Sequence, residues 1–189
     1  EIAFALEIRP HPPATMRAAV TAAMAQAGLP VDWGPRRIAT LSGGQKQIVA
    51  LAATLAQGAD LVIADEPTAS LAPAAAQLLA ERILAPGRTA LIVDHRLGPL
   101  LDRIDRVIVL SAPGRLLVEG TPEQVFADHG ARLHAQGIWT PPAVPLRLAL
   151  AARGHALPPL WRIADLMAHL PPGIDLAPLL LPRPATPGP

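Results

Sequence analysis

Apolar positions along the chain fall into two rhythms, and their alternation predicts the elements. Residues 1–13 read as extended and then broken, because Pro10, Pro12 and Pro13 forbid a regular helix. From Thr15, a capping residue, the period turns helical: Met16, Val20 and Met24 share one face, and Gly28 closes the run. Residues 30–35 form a loop. Ser42 suits the N-cap of a second helix over about 43–57, with Gly58 as its stop. Residues 61–64 are an uninterrupted apolar run, the pattern of a buried parallel strand, with Asp65 and Glu66 at its carboxyl end. Pro73 opens a helix that runs to about residue 84, and Pro86-Gly87 turns the chain. Residues 89–93 form a second buried strand ending in Asp94-His95, with a short helical segment near 97–103 behind it. Strands at 106–110 and 115–119 are joined by Ala112-Pro113-Gly114, and Thr121-Pro122-Glu123-Gln124 starts another helix.

After Gly130 proline becomes frequent and the strand pattern stops. Short helices are expected near 144–153 and 160–170, then a proline-rich tail or linker over 171–189. Strand–helix alternation as far as about residue 127 argues for an α/β fold with parallel strands, and no internal repeat is visible.

Composition narrows this picture. The 189 residues allow one ordinary domain with an appendage, and the 51% apolar content is enough for a core. Aromatics make up only 3%, so that core is mostly aliphatic. A formal net charge of +1 gives no basic footprint for nucleic acid. Cysteine is absent, which excludes disulfides and thiolate metal sites. No apolar stretch reaches the length of a membrane span. Lys46 is the only lysine.

The chemistry gathers at three places. In Ser42-Gly43-Gly44-Gln45 two glycines let a backbone approach an anion, and their amides sit at the positive end of a helix. A capped helix after a glycine loop would look the same locally. The longer string from Leu41 to Gln47, followed by a helix and an Asp-Glu strand, is more specific. At the end of the first strand, Asp65 is placed to hold magnesium through water and Glu66 to polarise an attacking water. An acidic surface turn is the plain alternative, and the preceding Leu-Val-Ile-Ala opposes it. His95 ends the next strand, within reach of the same crevice. The other histidines have no comparable setting.

These residues carry a family resemblance. Leu41-Ser42-Gly43-Gly44-Gln45 resembles the signature motif of ATP-binding cassette ATPases, residues 61–66 their Walker B strand with its catalytic glutamate, and His95 their switch histidine. The match covers about residues 1–128. Glu1-Ile2-Ala3-Phe4-Ala5 and Gly137-Ile138-Trp139-Thr140-Pro141-Pro142 further resemble the ATPases of energy-coupling-factor importers of vitamins and metal ions, and Asp94-His95-Arg96-Leu97 resembles the first cassette of tandem ATPases in that group.

The resemblance implies a partial P-loop NTPase (RecA-like) core. Residues 1–57 would be part of the helical subdomain with the signature, 58–128 the core with Walker B and the switch histidine, and 129–170 a C-terminal extension. It implies ATP and Mg2+ as ligands, with Asp65 holding the metal, Glu66 as general base and His95 on the γ-phosphate. Ser42, Gly43, Gly44 and Gln45 would cap a nucleotide held by a second cassette, in a homodimer, a heterodimer or a tandem chain. Hydrolysis would drive a transmembrane transporter subunit from the cytoplasmic face of the cell membrane. A degenerate or regulatory cassette offering only its signature face is the alternative. A soluble cassette of DNA repair or translation ranks last, since coiled-coil or basic insertions are missing.

Four departures stand out. No Gly-x-x-x-x-Gly-Lys-Ser/Thr string occurs, so the phosphate loop is missing and the chain reads as the later part of a longer cassette, inactive alone. Ala72 stands in Ser70-Leu71-Ala72-Pro73 where the family places the aspartate of its D-loop. Ile48 stands where arginine is usual, and Ala5 where glycine is usual.

Overall fold

The computed structural model describes residues 1–7, 12–69 and 71–180. Pro10, Ser70 and the end of the proline-rich tail, 181–189, lie outside the described residues. The chain divides into two compact units, Glu1–Arg103 and the part from Ile104 onward.

The first unit begins with three helices: α1 (Ile2–Glu7), α2 (Pro13–Gln26) and α3 (Gly43–Ala56). Ile2, Ala23, Met24, Ala27, Leu29 and Ala52 form their shared core. The extended reading of the opening residues is therefore wrong for 2–7. Ile2, Ala5 and Leu6 bury one side of a short helix, and that burial outweighs the weak local signal. In α2 the cap also differs from expectation. Pro13 occupies the first helical position, and the Thr15 hydroxyl donates back to the Pro12 carbonyl instead of capping. Gly28 ends the helix with φ +75°, a left-handed conformation that favours glycine.

From α3 the chain runs into β1 (Leu61–Asp65), α4 (Pro73–Ile83) and β2 (Thr89–Val93). The two strands are parallel, with Leu61 opposite Thr89 and Asp65 opposite Val93. One face packs on the helices: Val62 joins Leu51 and Leu55 of α3 and Leu79 and Ile83 of α4. Within these 189 residues the other face is uncovered, where the apolar runs lead one to expect burial on both. Leu61 (51%), Ile63 (67%), Leu91 (51%) and Val93 (55%) are all exposed. An apolar run carries no mark of whether one face or both will be covered. The helical segment expected over 97–103 is also absent. That stretch forms turns closed by Leu100 N–H to Leu97 O and Arg103 N–H to Leu100 O.

Helix α4 starts without a side-chain cap, because its N-cap is Ala72. We expect Ala72→Asp to stabilise the protein by about 1 kcal/mol, since a carboxylate there accepts an otherwise unsatisfied first-turn N–H. Urea denaturation of the two proteins measures this, and an unchanged midpoint would refute it.

The second unit opens with a hairpin, β3 (Val107–Leu110) and β4 (Leu116–Gly120), antiparallel with an irregularity at Val109/Leu110. The Arg106–Glu119 ion pair spans its open end. A capping box follows: Thr121 N–H donates to Gln124 Oε1 at 2.9 Å, and Gln124 N–H to Thr121 Oγ1 at 3.2 Å. The expected helix takes a π-helical turn over Gln124–Asp128 before α5 (Gly130–Ala135). Helices α6 (Ala143–Ala151), α7 (Ile163–Ala168) and α8 (Ala177–Leu180) complete the unit. Helix α5 has no counterpart among the expected elements, and α8 lies within the stretch expected to be a tail or linker. Phe126 sits edge-on to Trp139 and beside Trp161, and Gly130 lies so close to Val144 that a Cβ there would meet it at 3.1 Å.

Candidate functional site

The Ser-Gly-Gly-Gln turn is built by local hydrogen bonding. Ser42 holds extended backbone and caps α3: its Oγ accepts from Gln45 N–H at 3.3 Å, while Gln45 Oε1 accepts from Ser42 N–H at 2.9 Å. Four N–H groups at a helix start lack intrahelical partners, and this reciprocal pair satisfies two of them. The amides of Gly43 and Gly44 remain at the positive end of the helix. A Cβ built on Gly43 would find no heavy atom within 4 Å, so the backbone there is open to close approach. The turn thus presents two amides and a serine hydroxyl to an anion.

The carboxylates stand at the end of β1. Asp65 is its last residue, exposed and in register with Val93. Glu66 continues the ladder for one more bond, its N–H donating to Val93 O at 2.7 Å. Its φ is +46°, the left-handed region, among the described residues the one such non-glycine case. This twist swings the chain off the sheet and turns the Glu66 side chain to meet His95. His95 Nε2 lies 2.8 Å from Glu66 Oε1, with side-chain exposures of 87% and 46%. Two strand ends thereby deliver two titratable groups to one point. In water such a pair contributes only about 0–1 kcal/mol, so a ligand can displace it at small cost.

A third carboxylate, Asp94, has no role assigned from the sequence, where it stands only as the residue before His95. Asp94 is half-buried at the end of β2. Its Oδ2 accepts from Thr68 Oγ1 at 2.8 Å and its Oδ1 from Arg96 N–H at 2.9 Å. The available signal was weak: an aspartate beside the histidine, and a threonine two residues after the glutamate.

A single exposed carboxylate suits magnesium, which keeps most of its waters and takes one or two protein carboxylates beside substrate phosphates. Among the described residues no cluster of three or more His, Asp or Glu side chains forms a metal cage. Asp65, an exposed carboxylate at a strand end, is a donor of the kind that a water-rich Mg2+ accepts.

Comparison with known proteins decides the family. Residues 5–69 match the family model described as ABC transporter. The chain belongs to the ATP-binding cassette transporter ATPases. An energy-coupling factor transporter ATP-binding protein of Methanosarcina acetivorans is 36% identical over 161 residues, covering 84% of this chain and 57% of that protein. A Streptomyces coelicolor protein with a provisional ABC transporter ATP-binding name is 36% identical over 183 residues, 91% of this chain and 32% of that protein. Among solved structures, cbiO1 of Clostridium perfringens, part of the ABC transporter complex cbiONQ, superposes with a TM-score of 0.58. It is 29% identical and covers 72% of this chain and 58% of its own. The fold is thus that of the cassette ATPases, a P-loop NTPase fold. The chain spans between about a third and a little over half of these relatives.

Proposed function

We propose that this chain is the later part of a cassette that binds and hydrolyses ATP to energise import of a small solute, a vitamin or a metal ion. The observation that carries the reading is the meeting of Glu66 and His95 at 2.8 Å beside Asp65, where two parallel strands end. Glu66 would hold the attacking water and accept its proton, and His95 Nε2 would hold a γ-phosphate oxygen. Asp65 would hold Mg2+ through water, which offsets charge on the phosphates. Ser42, Gly43, Gly44 and Gln45 would close over a nucleotide seated in a second cassette, supplying the open amides and the hydroxyl. The partners on this reading are that second cassette and a transmembrane transporter subunit at the cytoplasmic face of the membrane. Among the described residues no helix is long and apolar enough to cross a membrane.

A regulatory reading has one observation in its favour: Ala72 leaves α4 uncapped at the position where the family's D-loop carries aspartate. The Glu66–His95 pair favours the hydrolase.

No phosphate loop occurs in these 189 residues, so the chain by itself is expected neither to bind ATP at micromolar concentration nor to release phosphate. The complete cassette carrying this sequence is expected to do both. Equilibrium binding and phosphate release on each protein make the test. Steady turnover by the 189-residue chain, or none by the complete cassette with its partners, would overturn the reading.

A further inference from the structure

We propose that Asp94 is a positioning residue that clamps the two loops carrying Glu66 and His95 into the geometry of hydrolysis. The inference rests on the hydrolase reading of those two residues. The sheet fixes them only up to a point: Asp65 is the last paired residue of β1, and Glu66 N–H to Val93 O is the last bond across the ladder. Beyond it the chains leave the sheet, one through Pro67 and Thr68, the other through His95 and Arg96. Asp94 bridges them there. One oxygen holds the Thr68 hydroxyl, two residues past Glu66, at 2.8 Å. The other holds the backbone N–H of Arg96, directly past His95, at 2.9 Å.

The result is a closed ring. Glu66 and His95 meet at their tips, Glu66 N–H and Val93 O join at the base, and the Asp94 carboxylate ties both loops on the far side. A carboxylate is suited to this, because it offers two acceptor oxygens and needs no donor. Charge-assisted bonds of this kind are also stronger than neutral ones. The His95–Glu66 contact is too exposed to hold the loops by itself. Removal of Asp94 frees the Thr68 side chain and the His95–Arg96 backbone, while leaving untouched the turn at Ser42 to Gln45 and the carboxylate of Asp65.

The test uses the complete cassette with its partners. Misplacement of a catalytic group by about 1 Å can cost roughly a hundredfold, so Asp94→Ala is expected to lower kcat by roughly ten- to a hundredfold, with KM for ATP within about twofold. Thr68→Val, which keeps the carboxylate and the backbone bond, is expected to show the same split at smaller size. Asp94→Asn is expected to recover most of the rate. Its oxygen still accepts from Arg96 N–H, and its amide can donate to a Thr68 hydroxyl turned acceptor. A general loss of folded protein would not leave KM unchanged, fold-corrected kcat reduced and the asparagine variant active together.

If Asp94→Ala does not fold, Thr68→Val and Asp94→Asn decide. The clamp is overturned by a wild-type kcat in Asp94→Ala or in Thr68→Val, or by rates that follow only the folded fraction. Glu66→Gln, assayed in parallel, separates the two levels. If it hydrolyses ATP like the parent, the hydrolase reading falls. If it is silent while Asp94→Ala is normal, only the clamp falls.

Discussion

Glu66→Gln in the complete cassette is expected to lower ATP turnover by roughly a hundred- to ten-thousandfold, the range of a general base, while ATP still binds. The amide keeps the size of the side chain and one acceptor oxygen. The contact with His95 therefore survives, with the ring protonated on Nε2. What disappears is the capacity to take a proton from water. The backbone is already committed to its left-handed turn at this position, and glutamine imposes no further strain than glutamate. A loss confined to kcat places Glu66 in the chemical step; a loss of ATP affinity would instead make it a binding residue. Single-turnover hydrolysis beside equilibrium ATP binding separates the two outcomes, and near-normal turnover would remove Glu66 from the role of base.

The largest expected effect on stability lies in the second unit. Phe126→Ala is expected to destabilise it by roughly 3–5 kcal/mol, the transfer and cavity cost of a fully buried aromatic. Phe126 is 2% exposed and sits 6.1 Å from the ring of Trp139 and 6.3 Å from that of Trp161. It leaves the capping box at Thr121 and Gln124, so its position is set by the turn before it as well as by its neighbours. Phe126→Leu retains most of the volume and is expected to cost less than half as much. Tryptophan fluorescence during urea unfolding reports on this core directly. A cost under about 1 kcal/mol for the alanine variant would show that the cluster repacks freely.

Features written into consecutive residues were legible in the sequence. The cap at Ser42, the proline opening α4, the limits of β2 and the capping box at Thr121 and Gln124 all depend on side chains within four residues of one another. Features that depend on distant partners were not legible. Helix α1 exists because Ile2, Ala5 and Leu6 find burial among other helices, whereas the local signal was the proline run that follows. The open face of β1 and β2 is invisible in an apolar run, which reads alike whether one side is covered or both. At the site, the Asp-Glu pair and the histidine announced themselves as strand ends. The Thr68–Asp94 bond joins residues 26 positions apart and leaves no periodic trace. The π-helical turn after Thr121, which buries Val125 and Phe126, likewise has no mark in the cap.

The left-handed backbone at Glu66 implies an uneven relation between durability and chemistry. An L-residue in that region gives up about 1–2 kcal/mol that glycine would not. Position 66 is therefore a place where a sturdier chain is one substitution away, and that substitution deletes the carboxylate. A cassette of this kind that drifts under selection for stability alone would shed its glutamate early, while its fold, its capped signature turn and its Asp65 remained intact.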